Sequence, residues 1–164
     1  MAKKPTRLKI MEKYLRLLNP KTTNFDSVGG GNHGALTAQD VCVALSYAKL
    51  TPVQSHLIEL YALNRNSIDQ LKLSARVIHE EYIRFNMAEV SEDHEISIFV
   101  ALVELCKVPA GYKPSERNRA VIAGVSRMRV QRHLGKLIDD FKKLLSVESG
   151  IAVAKINMQI KNIK

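Results

Sequence analysis

Between Arg117 and Leu137 the chain reads RNRAVIAGVSRMRVQRHLGKL, six cationic side chains set around a short apolar skeleton. Arginine can make a two-pronged bond to guanine and glutamine one to adenine, so Arg127, Gln131 and Arg132 have the chemistry to read base edges in a major groove. Ser126 stands beside them with a hydroxyl that can serve either sense of hydrogen bond, and Met128 lies among them. Lys113, Arg117, Arg119, Arg129, Lys136, Lys142 and Lys143 suit a different task. Charge there meets phosphate and gives affinity without sequence information.

Such side chains need a scaffold that projects them. A helix-turn-helix requires a small residue where two helices cross, a glycine at the tight turn, and apolar residues that hold the second helix on the first. Ala120 fits the crossing and Gly124 the turn. Val125, Val130 and Leu134 are then the props, with Leu137 continuing the inner face. Pro114-Ser115 open the first helix, and the last helix is expected from about Ser126 to Leu145. The plainer reading is a solvated Arg/Lys-rich helix in which Ala-x-x-x-Gly occurs by chance.

The distribution of charge weighs between the two. The 164 residues carry a formal net charge of +9, which points to a polyanionic partner. Residues 113–145 hold nine lysines and arginines against three acids, whereas residues 27–112 hold six against ten. Residues 1–26 hold seven against two. A basic block is therefore set apart from a mildly acidic middle, and this favours a nucleic-acid surface beyond Gly111.

Helical signals recur along the rest of the chain. Leu8, Met11, Leu15 and Leu18 predict a basic helix after Pro5, followed by a Gly-rich loop through residues 29–31. That loop lacks the lysine and hydroxyl residue of a phosphate-binding loop, so it reads as a linker. Thr37 caps a helix with Val41, Leu45 and Ala48 on one face. Thr51 and Pro52 open another, with Leu57, Leu60 and Ala62 inward. The run 66–87 predicts a short helix, a break near Leu73-Ser74, and a longer helix with Val77, Ile78, Tyr82 and Phe85. Ser91 caps a helix over 91–107 whose apolar residues cover most of its circumference, which predicts the most buried element. The tail 147–164 reads equally as strand or helix and is expected to be a partner-contacting arm.

The fold expected is all-α, with one helix-turn-helix at 114–145 and a degenerate one at 51–88, packed around the helix 91–107. The segments are 1–34, a basic helix and flexible loop; 35–110, a helical core; 111–146, the basic unit; and 147–164, the arm. The degenerate unit would offer only Arg76 and Arg84 against Glu80 and Glu81, so a protein-facing surface is the better expectation there.

Other chemistries find little support. Cys42 and Cys106 lack a Cys-x-x-Cys neighbour and are expected to pack among apolar residues. His33, His56, His79, His94 and His133 share no close ligand spacing, so neither a metal nor a cofactor is expected. No nucleophile and base are placed together, and the chain is expected not to be an enzyme. No run is long and apolar enough for a bilayer, and the sparse cysteines suit a reducing cytoplasm.

The run DVCVALSYAKLTPVQSHLIELYAL, Asp40 to Leu63, resembles the Asp-x-Cys-Val-Ala segment and supporting helix of the Q-type late-gene antitermination proteins of lambdoid phages. The resemblance covers about residues 25–90, and the block 113–145 matches only in general style. It implies a factor that binds duplex DNA beside a phage late promoter and engages a paused bacterial RNA polymerase still holding sigma factor. It further implies readthrough of pauses and terminators by action at the RNA exit channel, with nascent RNA and a homo-oligomer on DNA as further partners. The cysteine-rich zinc motif of one branch of that family is absent, so no metal role carries over. The alternatives are a helix-turn-helix repressor or activator, and a basic nucleic-acid-binding protein without antitermination activity.

Overall fold

The computed structural model describes Leu18 and residues 37–62, 66–86 and 91–163. The basic helix and Gly-rich loop expected before residue 35 lie outside the described residues, apart from Leu18. All regular structure among the described residues is helical: α1 (Ala38–Tyr47), α2 (Pro52–Ala62), α3 (Ile68–Asn86), α4 (Glu92–Cys106), α5 (Glu116–Ala123), α6 (Arg127–Arg129), a π-helical segment (Val130–Leu134) and α7 (Gly135–Ile163). The last three run on without a break.

The helix starts follow from local chemistry. Thr37 and Asp40 exchange bonds across the first turn of α1, and this backbone and hydroxyl donation holds the Asp40 carboxyl below its ordinary range. Thr51 with Gln54 and Ser67 with Gln70 repeat the reciprocal pattern at α2 and α3. Each pair satisfies donors that a bare helix start would leave unmet. Ser91 caps α4 through the Asp93 amide, with three acids in the first turn where the helix dipole favours negative charge.

As its composition predicts, α4 is deeply buried: Ser97 through Glu104 are all enclosed. It packs on α2, α3, α5 and α7, and around it gather Leu57, Leu71, Ile78, Val130, Leu134, Ile138 and Leu145. A second cluster joins Val41, Ala44 and Ala48 of α1 to Ile58 of α2 and to Ala152, Val153, Ile156 and Ile160 of α7. The 29 residues of α7, about 43 Å at 1.5 Å per residue, therefore serve both clusters.

Three expectations need correction. No break occurs at Leu73-Ser74, because Leu71, Ala75 and Ile78 are buried at helical spacing while Leu73 lies exposed, so α3 runs unbroken. The degenerate helix-turn-helix at 51–88, which required that break, is not formed. The last helix does not stop at Leu145. Residues 147–163 continue it, and Ile156 and Ile160 face α1 rather than alternating as in a strand. Cys42 is exposed on α1 instead of packing, while Cys106 is half-buried and burial pushes its thiol up to about 11.

Candidate nucleic-acid interface

The basic segment folds as helix, tight turn and helix. Ser115 caps α5 by accepting from the Asn118 amide, and the Asn118 side chain donates to the Lys113 carbonyl at 2.8 Å, pinning the approach. Ala120 is buried against the main core. Its carbonyl accepts from the Gly124 amide and, at 3.0 Å, from the Val125 amide. Gly124 closes the helix at φ +67, a left-handed conformation that disfavours any side chain although nothing lies within 4 Å of an added Cβ. Ser126 then caps α6 by accepting from the Arg129 amide at 3.2 Å.

Val130 and Leu134 are wholly buried, with Val125 and Leu137 partly so against the same cluster. Both props lie at the ends of the π-helical segment, Val130–Leu134. Val130, Leu134 and Ile138 are spaced four and four, a sequence of steps that drifts around an α-helix but stays in phase when a turn holds an extra residue. Gly135 permits that turn: its amide donates to the Val130 carbonyl, and a Cβ there would stand 3.0 Å from that oxygen.

The sequence-derived contact residues divide into three groups. Gln131 and Arg132 are exposed and make no side-chain hydrogen bond or ion pair among the described residues, and the same holds for Lys113, Arg117 and Lys136. Met128 is also exposed beside them. Arg127 is exposed but held by Glu116 at 3.0 Å, and Lys143 sits 3.9 Å from Asp140. Arg129 reaches Asp93 at the start of α4 at 2.5 Å, and the Ser126 hydroxyl is engaged as a cap.

Arg119, largely buried, and Lys142, with 37% of its side chain still exposed, turn toward a buried acid instead. Arg119 donates to Glu104 at 2.7 and 3.1 Å and to Asp139 at 2.6 Å, and Lys142 donates to Glu104 at 2.8 Å. Glu104 has no exposed side-chain surface. Burial alone would raise its carboxyl, yet the two cations outweigh that and hold it below the ordinary carboxylate range. Arg119 is raised in turn, chiefly by its bonds to Glu104. Burial, with the Glu104 charge nearby, pushes the Tyr112 phenol up to about 12. Glu104, Asp93 and Glu116 were missed as organisers of this surface. A single acid in the apolar run 96–105 was the available signal, since a buried carboxylate requires a cation.

Among the described residues no group of three His, Cys, Asp or Glu side chains could hold a metal ion, and no helix is long and apolar enough to cross a membrane. No family model matches the chain, and neither a characterised protein nor a solved structure is significantly similar to it.

Proposed function

We propose that the chain is a sequence-specific duplex DNA-binding protein that uses α5, the Gly124 turn and α6 with the π-helical segment as a helix-turn-helix. The observation carrying this reading is the corner itself. A left-handed glycine follows a buried alanine, two fully buried valine and leucine props hold the second helix, and Gln131 and Arg132 are exposed without partners among the described residues. The first turns of such a helix are where base edges are met. Gln131 and Arg132 are assigned to bases, with Arg127 joining them on release from Glu116. Lys113, Arg117, Lys136 and Lys143 are assigned to phosphates.

The biological role we propose rests on the resemblance at 40–63: late-gene antitermination, with the DNA-bound protein loading onto a promoter-proximal paused RNA polymerase that holds sigma factor. Binding to promoter-proximal phage duplexes against scrambled competitor tests the first step. Arg132→Ala is expected to cost about 1–3 kcal/mol of discrimination, while Lys136→Ala weakens every sequence alike. Equal losses on both duplexes for both variants would remove the reader assignment. Readthrough of a terminator by purified polymerase tests the second step, and binding without readthrough leaves a repressor or activator.

A further inference from the structure

Met128 is 55% exposed, and among the described residues between Ser126 and Leu137 it is the only large apolar side chain left in the open. Its surroundings are cationic, for Arg127, Arg129, Arg132 and Lys136 are exposed in the same stretch together with Gln131. Cations of this kind draw a surface toward phosphate, and an apolar side chain gains nothing from phosphate. Met128 therefore calls for a contact that the backbone of a nucleic acid does not offer.

The register of the segment shows what stands next to it. Val130 and Leu134 are both wholly buried, so a step of four residues keeps to one face here. By the same step Met128 and Arg132 share a face, and Arg127 and Gln131 share the one beside it, all four side chains being exposed. Val130 lies two residues from Met128 and two from Arg132, about 200° around the helix from the first, which turns the Met128 row away from the core. Met128 thus occupies the same row as a side chain assigned to bases, one turn nearer the Gly124 corner. In the major groove a base edge presents donors, acceptors and a single kind of apolar group, the C5-methyl of thymine. A thioether is only a weak acceptor, whereas a flexible, polarizable side chain packs well on a methyl.

We propose that Met128 is a specificity-determining residue that selects thymine through apolar contact with its methyl group. The proposal rests on the DNA reading given above and adds to it a base chosen without a hydrogen bond, beside those assigned to Gln131 and Arg132.

The test uses the full chain and duplexes that it enriches from a random pool. Each thymine of the enriched site is replaced singly by uracil, which removes the methyl and leaves every hydrogen-bonding group of the base pair in place. At one thymine the replacement is expected to weaken wild-type binding about fourfold, the factor that goes with burying one methyl-sized group. That thymine should lie within about three base pairs of the guanine for which Arg132→Ala loses its preference, since four residues of helix rise only about 6 Å. Met128→Ala should bind the thymine and uracil duplexes equally, while Met128→Leu keeps the preference. Both variants should retain the wild-type circular dichroism, because the side chain lies in the open. An enriched site that tolerates every uracil, or a preference that survives Met128→Ala, overturns the role of Met128 and leaves the DNA reading standing. A pool from which no sequence is enriched overturns both.

Discussion

Arg119 grips Glu104 with two bonds, Nε to Oε1 at 2.7 Å and Nη2 to Oε2 at 3.1 Å, across the contact between α5 and α4. Lys142 of α7 shares the same carboxylate. One buried charge thus holds the first helix of the basic corner and the continuation of the second to the central helix. Breaking a buried pair by neutralising one partner typically costs about 3–5 kcal/mol, because the remaining charge loses its compensation. Glu104→Gln is expected to fall toward the lower end of that range, since Arg119 keeps Asp139. Urea unfolding followed by circular dichroism measures it.

Acid titration examines the same carboxylate from the other side. The Arg119 and Lys142 bonds outweigh burial and place the folded value below the ordinary 4.5, so the unfolded chain takes up the proton first as pH falls. The stability from Glu104 is therefore present in full above 4.5 and is lost as pH drops through the lower folded value. The stability difference between the wild type and Glu104→Gln should narrow across that interval. A gap that stayed constant would show that charge at Glu104 adds nothing to the fold.

Gly124 invites a test that separates backbone from space. An added Cβ meets nothing within 4 Å, yet φ is +67. Gly124→Ala should cost about 1–2 kcal/mol for left-handed backbone, and Gly124→Asn distinctly less, since asparagine tolerates that region. Thermal melts of the two variants give the order, and equal losses would mean the turn has moved to another conformation.

Much of the fold was legible because its signals are local. Thr37, Thr51, Ser67, Ser91 and Ser115 each stand at or just before a helix start, and the apolar run of α4 announced its own burial. Leu73 misled because an exposed leucine next to Ser74 imitates a boundary that only the partners of Leu71 and Ala75 resolve. The tail was ambiguous for a related reason. Apolar residues on two faces of a helix produce the alternation of a strand, and α1 had to be in place to show which face was inward.

In the basic segment the turn at Gly124 was legible, but not which of the charges around it are free. Ala120 and Gly124 marked the turn by residue type alone. That Arg119 belongs to Glu104, fifteen residues earlier, is a matter of how α5 lies on α4, which no local pattern encodes. The π-helical turn was likewise hidden, since Gly135 tolerates it without announcing it.

The two cysteines should differ sharply toward an alkylating reagent. Cys42 is exposed, whereas burial pushes the Cys106 thiol up to about 11, leaving little thiolate near neutral pH. Mass spectrometry after brief iodoacetamide treatment of the folded protein should find the label on Cys42, with Cys106 following only on unfolding. Equal labelling in the folded state would place α4 in a looser core than the one described.

Arg127 and Glu116 form an ion pair across the corner, with the guanidinium 70% and the carboxylate 43% exposed. An exposed pair of this kind is worth about 0–1 kcal/mol, so under the proposed DNA reading a duplex would displace Glu116 at that cost. Glu116→Gln removes the competitor for Arg127. The variant should bind duplex DNA up to about fivefold more tightly, the factor that 1 kcal/mol represents. Arg127→Ala should lose affinity, and Glu116→Gln should give no gain in that background. Affinity measured for the four proteins at one salt concentration closes the cycle. A gain that persisted without Arg127 would assign the effect to net charge, and the base-reading role of Arg127 would fall.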